Sequence, residues 1–196
     1  FLQLTSLGKV NKMERLLQSP FTLQKGMVSR IEREVENHKA GKPARIRAKM
    51  NALVDAEMIR ALYRASQAGV PVDLVVRGMC CLRPGIPGVS DNIRVTSVIG
   101  RFLEHTRVFC FENAGEPELW LASADWMERN LYKRVEVAFP ILNGKIRTRV
   151  LDELQQYIDD TARSWLLGSD GIYTRVGDAG ISQGVQQRLL DEATQS

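Results

Sequence analysis

Apolar side chains that recur every three or four positions predict three helices, over residues 22–39, 53–68 and 145–167. A last short helix is expected near residues 183–192. Thr22 is the expected N-cap of the first helix, and Gly41-Lys42-Pro43 is its expected stop. The apolar positions that define the three longer helices are Leu23, Met27, Ile31 and Val35; Val54, Met58, Leu62 and Ala65; and Ile146, Val150, Leu154, Ile158 and Ala162.

Shorter apolar runs between turn residues predict strands, and two of these runs form a hairpin around the turn at 112–117. The strand–helix–strand order between residues 45 and 76 is typical of a βαβ unit with a right-handed crossover. The pattern therefore predicts the α/β class, with a mixed sheet of five or six strands and helices on both faces. The predicted strands are 45–50, 72–76, 93–99, 108–111, 119–121 and 135–141.

Composition limits the class of protein. The chain has 196 residues, of which 44% are hydrophobic and 26% charged, as in an ordinary soluble domain with its own core. Its apolar runs are too short for a membrane span, and its start lacks the pattern of a signal peptide. Because the chain begins with Phe1, we expect a fragment of a longer protein or a processed form.

The cysteine content bears on the cellular location, and the net charge bears on the class of ligand. The three cysteines fit neither a disulfide framework nor a zinc site, which favours a cytoplasmic location, with peripheral attachment to a membrane left open. The net charge of +4 is too small to indicate bulk nucleic-acid binding, but it suits an anionic ligand if the cations cluster.

Candidate chemistry centres on His105, one of two histidines. It begins one arm of the predicted hairpin, two residues before Arg107, and the other arm ends at Ser123 and Asp125. A histidine, a cation and two small polar groups at one end of a sheet suit the making and breaking of phosphate esters or anhydrides. On spacing alone, the alternative that His105 caps a strand and Arg107 is solvated is favoured.

Two further groups of cations have open interpretations. Arg77 follows the strand 72–76 and precedes Gly78, at the carboxyl end of a strand, where ligands of such sheets bind. The alternative is a solvated residue at a strand exit. Arg45, Arg47 and Lys49 share one face of the strand 45–50, which either lines a tunnel for a polyanion or, as the favoured alternative, is a solvated edge.

Four motifs resemble one family. The runs 49–55 (KMNALVD), 75–80 (VVRGMC), 100–105 (GRFLEH) and 123–127 (SADWM) resemble the C-terminal domain of bacterial polyphosphate kinase, in the same order along the chain. The resemblance extends from residue 22 to the end. We therefore expect residues 1–20 to be the tail of a preceding domain or a linker, and residues 21–196 to be the catalytic domain.

The resemblance implies a phospholipase D-like fold and a site shared by two such domains, each with one histidine. The nucleotide phosphorylates the histidine of the preceding domain, and His105 is the partner acid/base that also contacts nucleotide phosphates. Arg77 matches a phosphate-binding arginine. In the phospholipase D pattern, Arg107 replaces the lysine of His-x-Lys, and Ser123-Ala124-Asp125 stands in place of Gly-Ser-x-Asn, so Arg107, Ser123 and Asp125 are expected to bind phosphate.

The phospholipase D pattern also has a carboxylate that orients the histidine, but no Asp follows His105 at the usual interval. Glu136 is therefore the candidate for this catalytic role. The alternative for Glu136 is a salt bridge with Arg134 at the rim.

The implied reaction is reversible transfer of the ATP terminal phosphate to inorganic polyphosphate. Mg²⁺ is expected to bind mainly through substrate phosphates, with no metal ligand from the chain. Expected partners are ATP, ADP, polyphosphate and the preceding catalytic domain, in a homo-oligomer without nucleic acid. Without that domain, the fragment alone is expected to be inactive. Two alternatives remain: a phospholipase D-type phosphodiesterase or nuclease, and a non-catalytic module for phosphate binding or assembly.

Overall fold

A single mixed sheet is the framework of the protein. A computed structural model describes residues 13, 15–177 and 183–195. Nine strands are present in this part of the chain, in the order β1-β7-β6-β5-β2-β3-β4-β8-β9. The strands are β1 (Leu17–Ser19), β2 (Ile46–Met50), β3 (Val72–Val76), β4 (Ile93–Val98), β5 (Val108–Phe111), β6 (Glu118–Ala122), β7 (Glu136–Pro140), β8 (Ser164–Leu167) and β9 (Tyr173–Arg175).

Four helices flank this sheet, as the sequence predicts. They are α1 (Leu23–Lys39), α2 (Ala56–Gln67), α3 (Gly144–Ile158) and α4 (Val185–Gln195). One face of the sheet packs on α1 and α2, and the other packs on α3 and α4. None of the helices in the described residues has both the length and the apolar character that a membrane span requires. The expectation of an α/β sheet with helices on both faces is confirmed.

The number of strands is larger than the sequence predicts, because β1, β8 and β9 are too short to show a period of two. The helix predicted over 145–167 is also too long, since α3 ends at Ile158 and 164–167 is β8. The Asp160 carboxylate accepts hydrogen bonds from the backbone of Ala162 and Arg163, and this local turn competes with further helix. Thr22 stands at the N-cap position but makes no capping bond, because its hydroxyl oxygen accepts from Gln18 N instead.

Residues before Pro20 take part in the sheet. Ser19 pairs with Glu136 and Leu17 with Ala138, so β1 joins the sheet although the expected domain starts at residue 21. Of the expected tail 1–20, residues 1–12 and 14 lie outside the described residues.

The strand directions bring the candidate residues to one edge. β2 and β3 are parallel, as predicted, and β4 is parallel to β3. Because β5 is antiparallel to β2, β6 to β5 and β7 to β6, the ends of β2, β3 and β6 lie at the same edge as the starts of β5 and β7. We call it the site edge, and it holds Asn51, Arg77, Arg107, Ser123 and Glu136.

Candidate functional site

Asp125 links the end of β2 to the start of β5 at the centre of the site edge. Its Oδ1 accepts hydrogen bonds from the backbone N–H of Asn51 (2.7 Å) and of Ala52 (3.3 Å), just after β2. The same carboxylate accepts from Arg107 through Nε (3.2 Å, to Oδ1) and Nη2 (3.0 Å, to Oδ2). The Arg107 side chain is only 12% exposed. The alternative that Arg107 is solvated, which spacing alone favoured, is therefore wrong.

Arg77 joins this group through Asn51. Its Nε donates to Asn51 Oδ1 over 3.2 Å. An arginine has no acceptor, so this contact fixes the orientation of the Asn51 amide. Gly78 permits the close approach, since a Cβ there would lie 2.9 Å from the backbone oxygen of Asn51. The glycine thus brings the ends of β2 and β3 together.

His105 lies exposed in the loop before β5, three residues ahead of Val108, so it does not begin the strand. Arg107 holds it: Nη1 donates to the His105 carbonyl oxygen over 3.0 Å and lies 3.2 Å from Nδ1 of the ring. The structure thus places His105, Arg107, Asp125, Asn51 and Arg77 in one connected group.

Glu104, beside His105, belongs to a buried polar network. Its carboxylate pairs with Lys49 Nζ at 2.7 Å and accepts from the Tyr157 hydroxyl at 3.0 Å and from Gln186 Nε2 at 2.5 Å. Gln186 also bonds both the N–H and the carbonyl of Phe102. This network fixes the loop before His105 onto α3 and α4.

Lys49 is 3% exposed, and burial lowers the pKa of its ammonium group, against the opposing effect of Glu104 and with the help of the nearby Arg77 and Arg107. The two other cations of this group also form ion pairs: Arg45, just before β2, pairs with Asp73, and Arg47 pairs with Glu112. Arg47 and Lys49 therefore neither line a tunnel nor form a solvated edge. Both interpretations of the cationic face are wrong for these two residues.

Glu136 and Ser123 bond to each other at the other side of the site edge. The Ser123 hydroxyl donates to Glu136 Oε2 and accepts from the backbone N–H of Val137, while Asn130 Nδ2 donates to Glu136 Oε1 over 2.8 Å. Within the described residues, Glu136 makes neither a hydrogen bond to His105 nor an ion pair with Arg134. The structure thus does not bring Glu136 to His105.

A groove runs along the site edge as three adjoining cavities that share Phe102. A cavity of about 410 Å³ is lined by Arg77 and Arg101, and a second, of about 460 Å³, by Arg101, Arg163 and Gln186. The third, of about 330 Å³, is lined by His105 and Tyr157. The space for a ligand therefore lies beyond the carboxyl ends of β3 and β4, with arginine and histidine side chains along its wall.

At this site, the described residues offer neither a cluster of metal ligands nor a reactive thiol. Among residues 13, 15–177 and 183–195, no group of three His, Cys, Asp or Glu side chains could hold a metal. The carboxylates of Glu104, Asp125 and Glu136 already accept bonds from the chain. Burial raises the pKa of the Cys80 and Cys110 thiols to about 11, so neither is a thiolate nucleophile near neutral pH.

Sequence reasoning found Arg77, His105, Arg107 and Asp125 but missed Asn51, Tyr157 and Gln186, and it considered Lys49 only as part of a cationic strand face. Asn51 lies in the run KMNALVD, directly at the end of a buried strand, which was a usable signal. Tyr157 and Gln186 reach the site from helices distant in the chain, and no local pattern marks them.

Comparisons with known proteins agree on one family. Residues 16–187 match the family described as polyphosphate kinase C-terminal domain 2. The chain is 56% identical over 193 residues to the polyphosphate kinase of Pseudomonas putida, covering 97% of this chain and 26% of that protein. It is 55% identical over 194 residues to the polyphosphate kinase of Pseudomonas aeruginosa, covering 98% and 28%. The chain thus spans about a quarter of the length of these curated relatives.

Solved structures show the same relationship at the level of the fold. The crystal structure of polyphosphate kinase from Porphyromonas gingivalis matches with a TM-score of 0.89 and 38% identity, over 96% of this chain and 29% of that one. Nuc from Salmonella typhimurium, a phospholipase D family member, matches with a TM-score of 0.55 over 73% of this chain and 91% of that one. At 18% identity, the second match shows the fold alone, which is phospholipase D-like as expected.

Proposed function

Because this chain belongs to the polyphosphate kinase C-terminal domain family, we propose that it forms one half of the active site of a polyphosphate kinase. The whole enzyme would transfer the terminal phosphate of ATP reversibly to inorganic polyphosphate. The observation that carries the proposal is the connected group at the site edge, in which one carboxylate and one amide hold two arginines beside an exposed histidine.

Arg77 and Arg107 bind non-bridging phosphate oxygens in this proposal. Phosphoryl transfer depends mainly on positioning and on neutralising charge, and both arginines are held in place before substrate arrives. Asp125 has a different role from direct phosphate binding, since a carboxylate repels phosphate and this one already accepts four hydrogen bonds from the chain. It is a positioning residue for Arg107.

His105 moves the proton. Its exposed ring lines the groove and is held by Arg107. In synthesis it gives a proton to the departing phosphate oxygen of the nucleotide, and in the reverse reaction it takes that proton back. The histidine that carries the phosphoryl group belongs to the preceding catalytic domain of the same polypeptide.

The contacts of Glu136 and Ser123 support a role in joining the ends of β6 and β7. We therefore assign neither of them to the reacting atoms. In this proposal Arg107, and not a carboxylate, orients His105.

Mg²⁺ would assist by screening the charge of the substrate phosphates. The described residues of this chain do not fit a magnesium ligand set, because their acidic groups at the site edge are already bonded to the chain. The ion would thus be held by phosphate oxygens and by groups outside this chain. A cytoplasmic homo-oligomer with ATP, ADP and polyphosphate as partners completes the proposal.

The test uses the complete polypeptide that carries this chain, incubated with ATP, Mg²⁺ and polyphosphate. We expect ADP release coupled to growth of polyphosphate, and Arg77→Ala should lower kcat/KM for ATP by about tenfold, equivalent to about 1.4 kcal/mol. Arg175→Ala, which removes an exposed arginine of β9, is the control and should have no effect. Cleavage of labelled DNA without ADP release would favour the phosphodiesterase alternative and contradict the proposal.

A further inference from the structure

The segment that carries His105 has little regular structure of its own. Within the part of the chain that the structure describes, the backbone of residues 100–106 makes no hydrogen bond to another backbone group. The polar groups of such a backbone need partners from side chains or from water. Two side chains supply them here: Arg107 donates to the His105 carbonyl oxygen, and Gln186 bonds the backbone of Phe102. The segment is thus held on both sides of the histidine ring.

Gln186 reaches this segment from the first turn of α4 and makes three hydrogen bonds with it. Its Oε1 accepts from the Phe102 N–H over 2.9 Å, and its Nε2 donates to the Phe102 carbonyl oxygen over 2.9 Å and to Glu104 Oε1. A glutamine amide has two N–H donors, and these two acceptors account for both. The amide therefore holds the loop and has no donor left for a substrate phosphate.

Two features keep the Gln186 amide in this place. The preceding residue, Val185, is fully buried in the cluster that α3 forms with the sheet, so the first turn of α4 is firmly packed. On the loop side, Gly100 leaves room for the amide, because a Cβ there would overlap Gln186 Oε1. The φ angle of Gly100 is not positive, so the backbone itself does not require glycine. The space that Gln186 occupies therefore explains the glycine.

We propose that Gln186 is a positioning residue for His105, an inference that rests on the proposed function. It acts through Phe102 and Glu104, and it makes the acid/base of the reaction depend on the last described helix of the chain. A displacement of about 1 Å in a reacting group can cost about a hundredfold in rate. Three hydrogen bonds from a packed helix limit such displacement in an otherwise irregular loop.

The two proposed phosphate-binding arginines are held by a different set of contacts. Asn51 accepts from Arg77, and Asp125 accepts from Arg107. The hydrogen bonds of Gln186 described above involve none of these four residues. Loss of the Gln186 amide should therefore slow the proton transfer and leave the binding of ATP nearly unchanged, so that kcat and KM respond differently.

Gln186→Met in the complete polypeptide tests the proposal, because methionine has a similar length and helix propensity but no amide. We expect kcat to fall about tenfold or more in synthesis and in reversal, with KM for ATP within about twofold and both limbs of the pH–rate profile retained. The matched control is Gln67→Met, since this exposed glutamine of α2 also donates to a loop carbonyl, that of Gly88, and it should leave kcat unchanged. An unchanged kcat in Gln186→Met, or a loss in KM alone, would overturn the proposal.

A double-mutant cycle separates positioning from a merely structural role. A His105→Gln background has no acid/base to position, so Gln186→Met should cause no further loss of its residual activity. A structural role would lower activity by the same factor in both backgrounds, and that result would contradict the proposal.

Gly100→Ala displaces the Gln186 amide without changing its chemistry. The added Cβ meets the end of a flexible side chain, which can move at little cost to folding. This variant should show the same loss in kcat as Gln186→Met, whereas Gly144→Ala, where an added Cβ meets nothing within 4 Å, should show none. Full kcat in Gly100→Ala would contradict the proposal.

The inference and the proposed function fail in different ways. If the unaltered polypeptide releases no ADP from ATP in the presence of Mg²⁺ and polyphosphate, the proposed function is refuted. If the unaltered polypeptide is an active kinase and Gln186→Met retains its full kcat, only the positioning role is refuted.

Discussion

At the scale of single residues, Asp125 holds Arg107 and the end of β2 at the same time. Its hydrogen bonds reach the backbone of Asn51 and Ala52 and two nitrogens of Arg107. Asn51 in turn accepts from Arg77. The positions of both proposed phosphate-binding cations thus depend on one carboxylate.

Replacing this carboxylate should therefore lower both activity and stability. Hydrogen bonds to a charged group are worth roughly 1.5–3 kcal/mol each, and the Arg107–Asp125 pair is largely buried. We expect Asp125→Asn to lower kcat/KM for ATP by about tenfold to a hundredfold in the complete polypeptide, measured at a temperature at which the variant is folded, and to lower the melting temperature as well. The control is Asp73→Asn, which breaks a similar pair with Arg45 at the opposite edge of the sheet and should leave kcat/KM unchanged. Equal effects of the two variants would contradict the positioning role.

His105 offers a test of the proton transfer. A positioned acid or base typically contributes about 10²–10⁴ in rate. His105→Gln should lower kcat at least about a hundredfold in both synthesis and reversal, and the pH–rate profile should lose one limb. His38→Gln, which alters the other histidine, on the exposed end of α1, should keep the full profile. If His105→Gln retains most of its activity, His105 is a structural or binding residue.

At the scale of elements, the loop between β4 and β5 is held in place by side chains of α3 and α4. Glu104 is held by Lys49 of β2, by Tyr157 of α3 and by Gln186 of α4. Two of these partners belong to elements that lie far along the chain from the loop. The network explains how an otherwise irregular loop presents His105 in a defined place.

The buried pair in this network predicts a large loss of stability. Lys49→Met leaves the Glu104 carboxylate buried without its counter-charge, which costs about 3–5 kcal/mol in comparable cases. Urea denaturation should show this decrease in the free energy of unfolding. Lys39→Met removes an exposed pair with Glu36 on α1 and should cost less than about 1 kcal/mol. A loss below about 1 kcal/mol for Lys49→Met would show that the network is dispensable for folding.

At the scale of the whole molecule, the buried thiols predict weaker folding in alkaline solution. Burial raises the pKa of Cys80 and of Cys110 from 9.0 to about 11. The folded chain therefore keeps these protons while the unfolded chain loses them, so the free energy of unfolding should fall as pH rises from 9 to 11. Burial also raises the pKa of Tyr173, to about 12, which acts in the same direction, and lowers the pKa of Lys49, which acts in the opposite one.

Urea titrations at several pH values between 8 and 11 measure this slope. Cys110→Ala should reduce it, because one of the two thiols with a raised pKa is gone. Cys81→Ala, which removes the exposed cysteine, should leave the slope as it is. An unchanged slope in Cys110→Ala would mean that its thiol does not contribute to the pH dependence.

The sequence by itself determined the elements with a clear period and the motifs at their ends. The pattern of apolar residues predicted the three longer helices and six of the nine described strands, because burial of one face imposes a period on the chain. Arg77 and His105 were recognisable because they follow or precede such elements within motifs of the family. The family itself followed from several motifs in one order.

Only the tertiary structure decided which side chains meet. Asp125 was taken for a phosphate ligand and Glu136 for the partner of His105, yet the first holds Arg107 and the second bonds Ser123. Lys49 was read as part of a polar face, but a central strand beneath α3 buries it against Glu104. The short strands β1, β8 and β9 exist because neighbouring strands supply their hydrogen bonds. In each case the deciding partner is distant in sequence, so no local pattern could reveal the contact.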